Sequence, residues 1–136
     1  DVKEQVDIIK QELGWMGDKV EGVPEEYDYE KIECYMQGVR DYLKFLKRGI
    51  GRTNHLASID IRNGRLTREE GLKLMKENDG KRPASLDLFL KYLDINEDEF
   101  NEIVKMHVVS PNKWPDEPLP KGDELGDVKS WNKTID

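Results

Sequence analysis

The chain has 136 residues, which suits one domain, and carries 22 Lys+Arg against 29 Asp+Glu for a net charge of −7. Apolar residues make up 36% and charged residues 38%, against roughly 45–50% and about 25% in ordinary globular chains, so a helix-rich body with a modest core and long solvated faces is expected. That acidity argues against a general nucleic-acid binder or a protein held on an anionic membrane. The single cysteine, Cys34, excludes an internal disulfide or a cysteine-based zinc cluster and reads as a small buried hydrophobe.

No apolar run reaches the roughly 20 residues of a membrane span, and no secretory leader is visible, so a cytoplasmic setting is expected. The chain opens at Asp1, without an initiator Met and already in a helical pattern, as a cut or processed chain would.

Asp1–Leu13 predicts an amphipathic helix, with Val2, Val6, Ile9 and Leu13 on one stripe and Gly14 ending it. Trp15–Asp28 reads as a loop pinned by Trp15, Met16, Val20, Val23 and Tyr27. Tyr29–Ile50 predicts the longest helix, with Asp28 as cap and an apolar face of Ile32, Tyr35, Met36, Val39, Leu43 and Leu46. Arg40, Lys44, Lys47 and Arg48 lie towards its C-terminal end, where cations suit the helix dipole. Gly49 and Gly51 stop it.

Thr53–Asn63 alternates like a strand at Ala57, Ile59 and Ile61, but also fits a short helix capped by Thr53. The helix is preferred, with a hairpin through Asn63-Gly64 as the alternative. Thr67-Arg68-Glu69-Glu70 is a capping box opening a helix Arg68–Asn78, with Leu72 and Met75 inward. Ser85 caps Leu86–Leu93, whose Leu86, Phe89, Leu90 and Leu93 are core-like. Asn96 to Glu99 is a second box. The helix it opens runs to about His107 on a face of Phe100, Ile103, Val104 and His107. The prolines at 111, 115, 118 and 120 rule out a further helix. The fold class expected is therefore all-α: a small bundle of about five to six helices over residues 1–110, with an extended or partly disordered Pro-rich tail over 111–136.

The charge is unevenly placed. Arg40–Arg68 holds eight basic residues against Asp41 and Asp60 alone, and six of the eight are arginine, whose planar fork matches phosphate or carboxylate. Gly49, Gly51 and Gly64 lie among them, where backbone can turn or approach a ligand closely. Two readings stand side by side: an anion-recognition surface, or a solvated basic face that pairs with acidic helices. On the first, Arg52, Arg62, Arg65 and Arg68 hold phosphate, free N–H groups near Thr53 and Thr67 add to the site, and Asp60 orients an arginine or accepts a sugar hydroxyl. A phosphorylated sugar or nucleotide is the natural ligand class. No phosphate-loop motif, dinucleotide fingerprint or Ser/His/Asp arrangement is present, and His55 and His107 lack companions at metal spacing.

The run YMQGVRDYLKFLKRGIGRTNHLASIDIRNGRLTREE, with the later DGKRPASLDLFLKYLDINEDEFNEIV, resembles the C-terminal part of N-acetyl sugar amidotransferases. These belong to the PP-loop ATP-pyrophosphatase group and act in lipopolysaccharide O-antigen biosynthesis. The resemblance covers roughly Trp15 to Trp114, and RG-x-GRT…DIR-x-GR-x-TREE is its specific part. It implies an enzyme that uses ATP to activate the acetamido carbonyl of a nucleotide-linked sugar and ammonia from a glutaminase partner to give an acetamidino group. The Ser-Gly-Gly-x-Asp-Ser loop and the cysteine pairs of that group are absent here. The resemblance therefore implies a C-terminal helical domain whose ATP and magnesium site lies on a missing N-terminal PP-loop domain, with no cofactor of its own. The positions matching the motif are Arg48, Gly49, Gly51, Arg52, Thr53, Asp60, Arg62, Gly64, Arg65, Thr67, Arg68 and Glu69. They serve either the nucleotide-sugar substrate or, on the alternative, docking against the missing half or another subunit. No nucleic-acid or membrane partner is expected.

Overall fold

A computed structural model describes residues 1–30 and 34–123. Its described elements are helical: α1 (Val2–Leu13), α2 (Gln37–Arg48), α3 (Arg52–Arg62), α4 (Arg68–Asn78), α5 (Ser85–Leu93) and α6 (Glu97–Lys105), with one 3-10 turn at Glu25–Tyr27. The fold is all-α, as the periodicity predicts. The strand–turn–strand alternative for residues 53–63 is not what forms; Asn63-Gly64 instead makes the turn from α3 to α4, with Gly64 at φ 71°.

Signals within one turn of chain set several of the helix boundaries. Asp1, Thr67 and Asn96 each accept a backbone N–H of the first helical turn, while Glu4, Glu70 and Glu99 reach back to the cap residue. Gly14 and Gly49 end α1 and α2 in the left-handed conformation that glycine adopts without Cβ strain.

The main core lies where α2, α5 and α6 meet. Val39, Tyr42 and Leu46 face Leu86 and Leu90 and, from α6, Phe100 and Val104. Leu46 and Leu86 are almost completely buried, each contributing about 2 kcal/mol of apolar burial. Phe89 and Phe100 meet edge to face at 6.3 Å. A second cluster gathers Val20, Val23 and Tyr27 of the first long loop on Leu56 of α3, with Tyr29 against it. The loop is thus pinned by three of its five apolar anchors; Met16 is exposed and Trp15 only half-buried. Helices α3 and α4 form a hairpin in which Gly71, buried, lets α4 approach Ala57 and Ile61.

Residues 109–122 wrap the body as a strap. Val109 N–H donates to the Lys47 carbonyl at 2.8 Å and Asn112 Nδ2 to the Leu46 carbonyl at 2.9 Å. Both therefore satisfy carbonyls left free at the end of α2. Further on, Arg82 N–H donates to Pro120 O and Gly122 N–H to Arg82 O, both at 2.8 Å. Trp114 and Leu119 lie on the main core between these fastenings.

Several sequence expectations are corrected. Helix α2 starts at Gln37, not Tyr29, and Asp28 does not cap it. The Asp28 carboxylate takes Lys10 Nζ, Tyr27 is buried and Tyr29 packs on it, so these contacts hold residues 27–29 as a turn. Ile32 and the tail beyond Asp123 lie outside the described residues. Cys34 is exposed rather than buried. Helix α1 lies at the periphery: of its stripe only Val6 is buried, and Leu13 is 78% exposed. Leu72, Leu93 and Ile103 also face solvent. Helix α6 ends at Lys105, which leaves His107 beyond it and exposed.

Candidate functional site

The Arg/Gly stretch runs from the last turn of α2, along α3, to the first turn of α4. Arg48 closes α2, Gly49 caps it, Gly51 is the residue before α3, and Arg52 and Thr53 are its first two residues. Asp60 and Arg62 lie at the other end of α3, followed by Gly64 and Arg65 in the turn, Thr67 as cap and Arg68 and Glu69 opening α4. The two ends of α3, at Arg52 and Arg62, lie about 15 Å apart. The stretch is therefore two patches, one at each end of α3.

At the first patch Arg52 is engaged inside the fold. Its Nε donates to Asp41 Oδ2 and its Nη2 to Asp41 Oδ1, both at 3.0 Å, and Glu30 lies 3.5 Å from Nη1. Thr53 is fully buried; its hydroxyl donates to Gly22 O at 2.9 Å. Thr53 is not the cap expected of it. Asp79 caps α3 across space instead, with Oδ1 accepting Thr53 N–H at 2.9 Å and Oδ2 accepting Asn54 N–H at 3.1 Å. Gly51 is required here because a Cβ would overlap the Asp79 carboxylate. The helix N-terminus that the sequence offers to a ligand is thus occupied by a side chain of the same chain. Burial pushes the Asp79 carboxyl above its usual range, against the lowering effect of these N–H groups.

At the second patch Asp60, only 5% exposed, accepts Tyr27 Oη–H at 2.7 Å on Oδ2, and Arg65 Nε and Nη2 at 2.9 and 2.6 Å on Oδ1. Arg65 also pairs with Asp1. Of the two roles expected of Asp60, it takes the orienting of an arginine. Burial and this carboxylate raise the Tyr27 phenol well above its ordinary value, so it is a hydrogen-bond donor at every working pH. Thr67 is held within its capping box.

Arg48, Arg62 and Arg68 are different. They are exposed and make no ion pair among the described residues, as is also true of Arg40. Glu69 is exposed beside Arg68, and His55 faces solvent on α3. The structure thus sorts the predicted arginines into two that build the scaffold, Arg52 and Arg65, and three that are free to meet a partner.

Sequence reasoning misses one buried constellation altogether. Glu21 accepts Ser85 N–H at 3.0 Å and the Ser85 hydroxyl, across 64 positions, and so caps α5 where Ser85 is expected to do so itself. Burial raises the Glu21 carboxyl above its usual range. Gly38 of α2 makes room for it. The only signal in sequence is an acid between two apolar loop residues, which identifies no partner. Among the described residues, no three His, Cys, Asp or Glu side chains come together as a metal centre requires. No helix among them is long and apolar enough to cross a membrane.

The family model for LPS biosynthesis protein WbpG-like, C-terminal domain, matches residues 21–125. The chain belongs to this family. The matched span takes in α2 to α6, the strap and all twelve motif positions, while α1 precedes it. The WbpG-like domain is thus a helical C-terminal domain of a lipopolysaccharide biosynthesis protein. No curated protein and no solved structure matches the chain.

Proposed function

We propose that this domain is the C-terminal helical part of an ATP-dependent N-acetyl sugar amidotransferase of O-antigen biosynthesis, acting in the cytoplasm. The observation that carries the reading is the WbpG-like match over residues 21–125, which contains the whole RG-x-GRT…DIR-x-GR-x-TREE motif. In the reaction, the acetamido oxygen of a nucleotide-linked sugar takes AMP from ATP as pyrophosphate leaves. Ammonia from a glutaminase subunit then adds at the carbon, and AMP departs with the oxygen to give the acetamidino group. The ATP and magnesium site belongs to an N-terminal PP-loop domain. The contribution of this domain is anionic substrate binding, and Arg48, Arg62 and Arg68 are the arginines with free forks for it. Arg52 and Arg65 hold the backbone that presents them.

A second reading is an assembly domain whose basic stretch docks on the catalytic half or another subunit. It is favoured by α1, whose Val2, Ile9 and Leu13 stand exposed next to a body held by Lys10–Asp28 and Asp1–Arg65. Alanine replacement of Arg48, Arg62 and Arg68 in the full-length enzyme separates the two. Turnover lost with assembly intact supports substrate contact, whereas lost assembly supports docking.

A further inference from the structure

Between α2, α6 and the strap lies a cavity of about 400 Å3, within the roughly 300–1,000 Å3 of small-molecule sites. Tyr42 forms part of its wall. The residue is 9% exposed and its ring belongs to the main core, yet its hydroxyl has no hydrogen-bond partner among the described residues. A buried hydroxyl without a partner is costly and rare. Burial raises its pKa, Glu97 adds to the rise and Arg82 opposes it. Tyr42, Arg82 and Glu97 all line this one cavity.

The other polar groups divide into spent and free. Arg82 is spent: Nε donates to Glu97 Oε1 at 2.7 Å, and Nη2 to Glu97 Oε2 at 2.9 Å and Asp87 Oδ1 at 2.6 Å. Asn101 of α6 is half-buried, lines the cavity and has no partner among the described residues, so its amide offers both a donor and an acceptor. Trp114 lines the cavity with its indole, and Lys105, which is not part of the lining, has its Nζ over the same ring at 5.6 Å from the centre. The charge of the lining is two cations, Arg82 and Lys121, against Glu97, Asp116 and Glu117. A net negative lining repels phosphate.

What remains for a ligand is a phenol, an amide and an indole face. Those are the complements of a neutral ring that carries hydroxyls at its edge and C–H groups on one face. We propose that this cavity binds an uncharged pyranose, stacked on Trp114 and hydrogen-bonded by Tyr42 and Asn101. The site rests on the sugar amidotransferase reading for its biological setting and lies apart from the arginines, so one molecule offers a neutral saccharide site and separate cationic patches.

The test titrates the full chain with methyl N-acetylglucosaminide, methyl glucoside and uridine diphosphate, reading the Trp114 indole N–H and the Asn101 amides by NMR. Trp114→Phe assigns the indole signal. Either glycoside shifts these signals saturably and the diphosphate leaves them in place. Tyr42→Phe weakens glycoside binding about tenfold, the loss of one hydrogen bond, while its thermal midpoint stays level, because the hydroxyl has no partner among the described residues to lose. Glycosides that move neither signal overturn the site, as does equal affinity in Tyr42→Phe and Asn101→Ala. Equal shifts from the diphosphate overturn the ligand class. If glycosides bind here but the full-length enzyme makes no amidino sugar, the reaction reading fails and the saccharide site stands. An active enzyme whose isolated domain ignores glycosides upholds the reaction and overturns the site.

Discussion

Asp79 Oδ1 accepts the backbone N–H of Thr53 at 2.9 Å, across 26 positions of chain. One carboxylate at the end of α4 therefore closes the start of α3, and the helical hairpin is fastened at its open end. Asp79→Ala leaves two N–H groups of a half-buried helix end without acceptors. Its unfolding free energy falls by about 2 kcal/mol, read from urea midpoints. A midpoint unchanged from wild type would mean that water replaces the cap at no cost.

Gly38→Ala tests the Glu21 constellation. In a solvated helix the change gains about 1 kcal/mol of propensity. Here the added methyl overlaps the buried Glu21 carboxylate and lies 2.9 Å from Ser85 Oγ. Displacing that cap outweighs the gain, and a net loss of roughly 2 kcal/mol is expected in thermal or chemical unfolding.

The pH dependence of Glu21 follows from its environment. Desolvation raises its carboxyl above the ordinary 4.5, so the folded state binds the proton more tightly than the unfolded state. Its contribution to stability is largest below pH 4.5 and is lost as pH rises through the elevated folded value. Glu21→Gln abolishes that titration. The stability advantage of wild type over Glu21→Gln therefore shrinks as pH rises above 4.5 in paired urea titrations, and an advantage that grows with pH would reverse the assignment.

The arginines divide by stability. Arg52→Ala breaks a fork-to-fork pair with Asp41, and Arg65→Ala strips buried Asp60 of its cation. Each costs about 1–3 kcal/mol. Alanine at Arg48, Arg62 or Arg68 changes stability by less than about 0.5 kcal/mol, because these side chains are exposed and unpaired among the described residues. Far-ultraviolet dichroism with urea checks all five.

What is legible in the sequence is what is decided within one turn of chain. The Thr67/Glu70 and Asn96/Glu99 boxes and the Leu86/Leu90 and Phe100/Val104 faces rest on spacings of three or four residues, and the stops at Gly14 and Gly49 on a single residue each. Local pattern misplaces the caps of α3 and α5 onto Thr53 and Ser85 because the acceptors that serve them, Asp79 and Glu21, lie 26 and 64 positions away. It starts α2 too early for a related reason: Tyr27, Asp28 and Tyr29 are helix-compatible locally but are claimed by Asp60, Lys10 and the second core. At the candidate site, composition locates the arginines. It has no means of separating those consumed by Asp41 and Asp60 from those left to solvent.

The length of α3 has a consequence for how the domain is sensed from a distance. Its two ends lie about 15 Å apart, nearly twice the Debye length of roughly 8 Å at physiological ionic strength. An approaching anion feels one arginine patch at a time, and each patch works as a separate short-range attractor. In dilute buffer, where the screening length exceeds the helix, the two fields merge into one positive lobe on an otherwise acidic molecule.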